Sequence, residues 1–172
     1  MDLLIVDGYN IIHADPDLKQ LLDQDLETAR EGLLNKLRPL QEQGLYQAVV
    51  VFDSSIPGLQ QGVLEEMGGI EVAFTAAGQS GDAFVESLVR RMGKRRSVIV
   101  STDDRQLQFV VQGYGAVIKT SEALRAEMAD VIGEIRQQLK RLGHSRGMHR
   151  LDAQLDRELR GMLDEMRFRN RD

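Results

Sequence analysis

The sequence contains no cysteine and no tryptophan, and aromatic residues make up only 5% of the chain. The absence of cysteine excludes disulfide bonds, thiolate zinc sites and cysteine nucleophiles. The low aromatic content disfavours a protein that binds single strands mainly by base stacking. Two of the three histidines lie close to the C-terminus, at positions 144 and 149. A zinc hydrolase, which needs clustered nitrogen or sulfur ligands, is therefore disfavoured.

Long apolar runs are also missing. None approaches the roughly 20 residues that a helix needs to span a bilayer. The chain passes from Met1 and Asp2 directly into the apolar run 3–6, with no basic leader and no cleavage site of small residues, so we do not expect export. With an ordinary hydrophobic fraction of 42%, the sequence predicts a soluble, cytoplasmic protein.

The formal net charge of −5 conceals an asymmetry along the chain. Residues 1–135 carry 12 Lys and Arg against 21 Asp and Glu, whereas residues 136–172 carry 10 against 6. A basic tail on an acidic body is suited to an anionic partner such as RNA, but a solvated amphipathic helix has the same composition. A second basic cluster, RRMGKRR, occupies residues 90–96. Helix ends collect such residues for dipole reasons alone.

Short apolar runs alternate with segments of helical period, which is typical of an α/β fold. Because the predicted strands are apolar on both faces, we expect a mostly parallel sheet covered by helices on both sides. The predicted strands are residues 3–6, 48–52, 70–74, 97–100 and 115–119, and the predicted helices are residues 26–43, 82–93, 105–112 and 121–139.

Glycines and a change of composition mark the boundaries of these segments. Gly44, Gly93 and Gly113 follow helical runs, where a left-handed C-cap is expected. From residue 144 onward the chain becomes basic and carries a stripe of Leu and Met at helical spacing. We therefore predict a main domain over residues 1–142 and a basic C-terminal helical extension over residues 143–172.

Acidic residues gather where the predicted strands end. Ligands of open α/β sheets bind outside the carboxyl ends of the strands. One further acid begins a helix after a glycine-broken loop, and another lies four residues later on the same helical face. The strand-end acids are Asp7, Asp53, Asp103 and Asp104, and the helix acids are Asp82 and Glu86.

Each acid also has a purely structural explanation. Asp82 is suited to an N-cap or first-turn position, and one of Asp103 and Asp104 to capping the helix that follows. Asp53 precedes Ser-Ser-Ile-Pro-Gly and is suited to a turn, and Glu86 to a solvated helix face. Caps and turns account for the acids one by one, but not for their coincidence at the strand ends.

Carboxylates brought within a few ångströms of one another cannot all stay ionised, because like charges raise each other's pKa. A divalent cation resolves this conflict, and Mg²⁺ and Mn²⁺ prefer oxygen ligands. Such an ion activates water for attack on a phosphodiester. Serine–histidine–aspartate chemistry is poorly supported, since His13 follows the first motif closely and no nucleophile-elbow sequence is present.

The ordered set of motifs resembles the YacP-like branch of the NYN family, relatives of the PIN nucleases. The motifs are DGYN at residues 7–10, VFD at 51–53, the loop ending in Asp82 with Glu86 one turn on, and STDDRQLQ at 101–108 before QGYGA at 112–116. The resemblance covers most of residues 1–142. It implies a PIN-like three-layer α/β/α fold and a metal-dependent ribonuclease that cuts RNA internally. It also implies a ribosomal setting, with messenger RNA as the substrate.

The resemblance also implies roles for individual residues. The family's first acid matches Asp7, its amide partner matches Asn10, and its middle acid matches Asp82. Ser80 and Gly81 stand where the family usually has Thr and Ala, which weakens the match of that loop. The late acid aligns better with Asp104 than with Asp103, which replaces a small hydroxyl residue, and which of the two reaches the metal is left open.

The resulting hypothesis is that Asp7, Asp82 and Asp104 bind one or two Mg²⁺ or Mn²⁺ ions, directly or through water. Asn10 orients a substrate oxygen or a ligand carboxylate, and Asp53 and Glu86 act as outer ligands or position water. A set of basic residues would hold the RNA backbone if it lies on the same edge. These residues are Arg90, Arg91, Lys94, Arg95 and Arg96.

Two alternatives remain open from the sequence. A receiver-type phospho-acceptor would use Asp53, Thr102 and Lys119, which occur in the right order, but it leaves Asp82 and Glu86 without a role. A nuclease-like domain that binds RNA or the ribosome without cutting is the second alternative. It would retain binding after loss of the acids.

Overall fold

The structure is a computed structural model that describes residues 1–53, 63–76 and 78–145. No helix within these ranges has the length and apolar character required to cross a membrane. The predicted tail helix of residues 143–172 falls almost wholly outside the described residues, which end at Ser145.

One six-stranded sheet forms the centre of the molecule. Its strand order is β3-β4-β2-β1-β5-β6. The pair β3–β4 is antiparallel, and the other four neighbouring pairs are parallel. The predicted α/β class with a mostly parallel sheet is therefore confirmed. The strands are β1 (Asp2–Asp7), β2 (Tyr46–Phe52), β3 (Val63–Met67), β4 (Ile70–Phe74), β5 (Val98–Ser101) and β6 (Val117–Lys119).

Six helices connect or follow these strands within the described ranges. Four of them match the predicted helices, whereas α1 and α2 were not predicted. Each of these two has only seven residues, which is shorter than the window in which helical periodicity becomes visible. The helices are α1 (Gly8–Ala14), α2 (Pro16–Leu22), α3 (Leu26–Glu42), α4 (Gly81–Met92), α5 (Arg105–Gly113) and α6 (Ser121–Ser145).

The antiparallel strand β3 was also absent from the prediction. Its residues Glu65 and Glu66 interrupt the apolar pattern by which buried strands are recognised. Gly68 and Gly69 join β3 to β4 with φ values of +58° and +85°, a backbone conformation that glycine adopts at low cost. As an edge strand, β3 needs less apolar character than the central strands do.

Of the three predicted glycine caps, only the one at Gly44 is confirmed, with φ +73°. Gly93 has φ −60°, so the prediction of a left-handed cap there is wrong. A Cβ at Gly93 would lie 2.9 Å from the Val89 carbonyl oxygen, which explains the glycine by close packing instead. Gly113 still belongs to α5, and the left-handed residue is Gly115 at φ +90°. The last strand accordingly begins at Val117 and not at 115.

Two helical layers cover the two faces of the sheet. Successive side chains of a strand point to opposite faces, and Leu3 and Ile5 of β1 face α4 and α5. Leu4 and Val6 point to the opposite face, where α1 and α3 pack against β2. The first face is completed by Val85, Val89, Leu107 and Val111 from the helices. This arrangement is the three-layer α/β/α architecture expected from the sequence.

Residues 1–132 form one compact unit, and a second unit begins at Gly133 within α6. In the first unit, Leu124 and Met128 of α6 are buried. The predicted boundary between residues 142 and 143 stays a prediction, because only the start of the extension belongs to the described residues.

Candidate active site at the carboxyl edge of the sheet

The strand order reverses at β1, because β2 pairs with one side of it and β5 with the other. In open α/β sheets such a reversal leaves a crevice at the carboxyl ends of the two diverging strands. Asp7 is the last residue of β1, and Thr102 directly follows β5. The acidic first motif therefore stands at the position where this class of sheet binds ligands.

Asp7 ends the strand and at the same time caps helix α1. One of its carboxylate oxygens accepts a hydrogen bond from the Asn10 backbone N–H at 3.4 Å, the pattern of an N-cap. Gly8 follows because a Cβ at that position would lie 2.3 Å from the Phe52 ring. Close packing of α1 against β2 thus requires the glycine of DGYN and fixes the Asp7 carboxylate at the strand end.

Thr102 connects two of the predicted site acids. Its buried hydroxyl donates to the Asp7 carboxylate at 3.2 Å and accepts from the Asp104 backbone N–H at 3.2 Å. We assigned Thr102 a role only in the receiver alternative, so its contact with the acids was missed. The signal that was available is a hydroxyl residue standing between a buried strand and two acids.

Asp104 caps α5, as the structural explanation allowed for one of the two late acids. Its Oδ1 accepts from the backbone N–H groups of Gln106 at 2.7 Å and Leu107 at 3.1 Å. Within the described residues, its Oδ2 accepts no hydrogen bond. One oxygen of this carboxylate therefore stabilises the helix while the other is available to a ligand.

Asp103 has a different set of contacts. Its carboxylate accepts from the Ser121 backbone N–H at 2.8 Å, at the start of α6. The Asn10 side-chain oxygen accepts from the Asp103 N–H at 3.1 Å and from the Ser121 hydroxyl at 3.0 Å. These bonds tie α1, the β5–α5 loop and α6 together. Because the Asn10 oxygen is occupied in this way, its amide N–H₂ is the group left to orient a substrate oxygen or a carboxylate.

Asp53 and Asp82 approach the same edge from β2 and α4. Ser80 caps α4 by accepting from the Ala83 N–H at 3.2 Å, which places Asp82 in the exposed first turn. Asp53 accepts from the Thr75 hydroxyl at 3.0 Å and from the Gly81 N–H at 3.4 Å. These partners lie about 22 and 28 residues away along the chain, so these bonds link Asp53 to distant segments.

Burial and neighbouring carboxylates both raise the pKa of Asp7 and of Asp82. Burial raises the pKa of Asp7, and the Asp82 and Asp104 carboxylates raise it further, against hydrogen bonds from Asn10 and Thr102 that lower it. Burial also raises the pKa of Asp82, with further contributions from Asp104 and Asp53. Among the described residues no Lys or Arg forms an ion pair with any of these four acids. In the described part of the chain, the negative charge of this edge is therefore not balanced by an ion pair.

This donor set fits a divalent cation held through few direct contacts. No three His, Asp or Glu groups of the described residues lie close enough to ligate one ion together. Mg²⁺ usually takes only one or two carboxylates and fills its remaining positions with water and substrate oxygens. The oxygens of Asp7, Asp82 and Asp104 suit that mode, and a cation there would offset the excess charge.

Glu86 is directed to a different partner. Its carboxylate accepts from the Tyr114 hydroxyl at 3.3 Å, one turn along α4 from Asp82. The role of Glu86 as an outer ligand stays a prediction. Its observed contact is with Tyr114, which follows α5.

One member of the predicted basic cluster, Arg96, lies away from the acid edge. Helix α4 begins beside Asp53 and carries Arg90 and Arg91 in its last turn, before β5 starts. The Arg96 guanidinium donates to the Gln47 side-chain oxygen at 2.8 Å and to the Met1 carbonyl at 3.2 Å, both at the starting ends of strands. Arg96 therefore lies at the opposite edge of the sheet from the acids, because α4 crosses the sheet between the two edges. The condition that the cluster shares the acid edge is not met by this residue, and RNA binding by the cluster stays a prediction.

The structure does not bring together the residues that the receiver alternative requires. The Lys119 ammonium donates to the Tyr46 hydroxyl at 2.9 Å and pairs with Glu127, while Thr102 bonds to Asp7. Asp53 is bound to Thr75 instead. The three residues that a phospho-acceptor site would assemble thus have separate partners.

Comparison with known proteins gives relatives over nearly the whole chain. The family model for the YacP-like NYN domain matches residues 4–168. A curated Bacillus subtilis (strain 168) protein, "Uncharacterized protein YacP", is 31% identical over 144 residues, covering 83% of this chain and 84% of that protein. The match to the family model extends through most of the predicted C-terminal extension.

Solved structures give the same result. The crystal structure of Rae1 (YacP) from Bacillus subtilis superposes with a TM-score of 0.75 at 25% identity, covering 97% of this chain and 95% of that one. A mutant of the same protein gives a TM-score of 0.70 at 29% identity, with 82% of each chain covered.

The doubly wound sheet and the acids at its switch point define a PIN-like, nuclease-type α/β domain. The chain belongs to the YacP-like NYN domain family. Membership of this family supports a ribonuclease-type function.

Proposed function

We propose that this protein is a metal-dependent endoribonuclease that hydrolyses internal phosphodiester bonds of RNA. The observation that carries the proposal is the geometry of the acids at the switch point. The Thr102 hydroxyl joins Asp7 to Asp104, and Asp53 binds the start of α4, next to Asp82. Among the described residues no Lys or Arg forms an ion pair with these acids. Acids whose pKa is raised by burial and by neighbouring acids in a crevice are typical of functional sites. Family membership supports the same class of reaction.

The roles of the residues follow from their contacts. Asp7 and Asp104 are held at a fixed spacing by the Thr102 hydroxyl. Together with Asp82 they would hold one or two Mg²⁺ or Mn²⁺ ions, directly or through water. A bound ion lowers the pKa of its water and stabilises charge on the leaving oxygen. The Asn10 amide donates to a phosphate oxygen or to a ligand carboxylate.

Asp53 positions the start of α4 by accepting from Gly81, and so sets the place of Asp82. In this proposal Asp53 does not bind the metal directly. The same holds for Glu86, for which the sequence predicts a role as an outer ligand. Asp103 braces α6 against Asn10, so Asp104 and not Asp103 is the proposed late ligand. A cytoplasmic setting with messenger RNA on the ribosome as substrate is the finer form of the proposal, supported by the resemblance.

The test uses a circular RNA, which only an endonuclease opens. The purified chain with Mn²⁺ should linearise it, and removal of the metal with EDTA should stop the reaction. In Asp7→Asn and in Asp82→Asn the rate of cleavage should fall more than about 100-fold. This is the upper end of the losses seen when a group that merely supports a metal ligand is removed. Asp23→Asn removes the same charge at an exposed helix end and should cut as the parent does. Equal cutting by Asp7→Asn and the parent would refute the site.

A second candidate function is a nuclease-like domain that binds RNA or the ribosome without cutting. The observation that favours it is the lack of three ligand groups close enough to share one ion within the described residues. Under this alternative the parent leaves circular RNA intact at every Mn²⁺ and Mg²⁺ concentration. Binding of RNA would then survive in Asp7→Asn.

A further inference from the structure

An open pocket of about 660 Å³ lies at the far end of α4 from the acids. It is lined by Arg90, Arg91 and Lys94 together with Tyr114, which follows α5. Its size lies within the range of small-ligand sites. The pocket belongs to neither the acid edge nor the Arg96 contacts at the start of the sheet.

The lining groups suit a nucleotide. The Arg90 guanidinium lies 5.5 Å from the centroid of the Tyr114 ring, and Tyr114 is still 45% exposed. In the described part of the chain, Arg91 and Lys94 form no ion pair. Unpaired cations beside an exposed aromatic ring are the combination by which proteins hold the backbone and a base of a single strand.

Helix α4 connects this pocket to the acids. Asp82, Glu86 and Arg90 are spaced by four residues and so share one face of the helix. Eight residues of α-helix rise about 12 Å, a distance within reach of a strand a few nucleotides long. The Tyr114 hydroxyl donates to Glu86 at 3.3 Å, which fixes the ring on this same face.

We propose that the pocket binds a single-stranded part of the RNA that is cut at the acids, with phosphates on Arg90, Arg91 and Lys94 and a base stacked on the Tyr114–Arg90 pair. That the ligand is the RNA substrate rests on the proposed function. That the pocket combines cations with an exposed aromatic ring is independent of that function. A solvated helix end explains basic residues in the last turn of α4, but it does not explain a concave site with an exposed tyrosine.

The first experiment measures binding of a fluorescent single-stranded RNA to the full chain in EDTA, over a range of salt concentrations. Tyr114→Leu should weaken binding about 5- to 150-fold, the effect of losing one stacked base, and should leave the salt dependence unchanged. Arg90→Gln and Lys94→Gln should each lower the salt slope by about 0.7, the contribution of one phosphate contact in a single strand.

Two matched controls separate the pocket from general effects. Phe109→Leu removes an aromatic ring that is 80% exposed on α5 but does not line the pocket. Lys19→Gln removes a positive charge from the exposed surface of α2. Both should bind RNA with the affinity and the salt slope of the parent.

The second experiment measures cleavage in Mn²⁺. The pocket variants should raise KM for a long RNA while kcat stays within about twofold, because they touch substrate far from the reacting bond. Cleavage of an oligonucleotide too short to bridge the roughly 12 Å from Asp82 to Arg90 should be unaffected.

The outcomes keep the two proposals apart. If the parent cleaves RNA and Tyr114→Leu and Arg90→Gln bind and cleave as the parent does, the pocket proposal is overturned. If the parent never cleaves but these variants lose RNA binding, the nuclease proposal fails and the pocket stands. If inorganic phosphate displaces RNA equally from the parent and from Tyr114→Leu, the site takes a free anion, and the stacked base is ruled out.

Discussion

Two aspartates in the first 15 residues do the same local job in opposite surroundings. Asp7 caps α1 and Asp15 caps α2. Asp15 is only 2% exposed, and the Lys36 ammonium lies 2.7 Å from its carboxylate. Asp7 has no such cation within the described residues; burial raises its pKa, and the Asp82 and Asp104 carboxylates raise it further.

The difference separates stability from function. A buried carboxylate costs free energy unless a cation or hydrogen bonds compensate it. At Asp15 the chain supplies that compensation, so the charge serves the fold. At Asp7 the compensation is left incomplete, and the charge is available to a ligand.

The largest expected effect comes from neutralising each of the two residues in a separate variant and measuring RNA cleavage with Mn²⁺. Asp7→Asn should lose more than about 100-fold in kcat/KM, whereas Asp15→Asn should keep the activity of the parent at a temperature where it is folded. Equal losses of kcat/KM in the two variants would mean that the different surroundings of Asp7 and Asp15 do not matter for function.

Thr102→Val tests whether the hydroxyl that joins the two acids matters. The change keeps the shape of the buried side chain but leaves the Asp7 oxygen and the Asp104 N–H without their partner. We expect a 10- to 100-fold loss in kcat/KM, about the effect of removing a group that orients a metal ligand. Thr102→Ser retains the hydroxyl and should recover most of the activity, and a failure to do so would point to packing instead.

Asp15→Asn should lower the stability of the fold. Asn still caps the helix, but Lys36 loses its nearest carboxylate. We expect a decrease of about 1–3 kcal/mol in the free energy of unfolding, measured by urea denaturation. Lys36→Met removes the other partner and provides the matched control for the same pair. An unchanged midpoint in both variants would show that the ion pair contributes nothing.

Asp7→Asn should show the reverse behaviour in the metal-free protein. The folded-state pKa of Asp7 lies above the ordinary value of 3.8, so between the two values the folded chain holds more protons than the unfolded chain. The free energy of unfolding then falls as pH rises through this window. Asp7→Asn has no such charge. The Tm of this variant minus the Tm of the parent should therefore increase as pH rises toward neutrality.

The measurement is a series of melting curves of both proteins in EDTA from about pH 3.5 to 7. Adding Mn²⁺ should raise the Tm of the parent more than that of the variant, because a ligand stabilises only the state that binds it. A Tm difference that is constant with pH would contradict the assignment of an uncompensated charge to Asp7.

Glu86→Gln gives the smallest expected effect. Gln still accepts the Tyr114 hydrogen bond while the negative charge beside the basic pocket disappears. RNA binding should tighten by no more than about fivefold, the range of an exposed charge interaction, with kcat unchanged. A large fall in kcat would instead restore Glu86 to the acid site.

The strand ends and the main acids were predictable because both depend on patterns close in sequence. An apolar run such as residues 3–6 must be buried, and parallel strands bring their carboxyl ends to one edge, so Asp7, Asp53 and Asp104 had to meet there. The short helices and β3 were missed because seven residues, or a strand with two glutamates, carry too weak a pattern to overcome other signals.

The fold class, the sheet edge that carries the candidate site and the family of the protein could all be predicted from residue patterns. Three contacts could not be predicted in this way: Thr102 bridges the acids, Asp103 binds the start of α6, and Glu86 binds Tyr114. These outcomes depend on which lone pair meets which donor about 3 Å away. That is set by the packing of helices distant in sequence, and no local pattern of residue types encodes it.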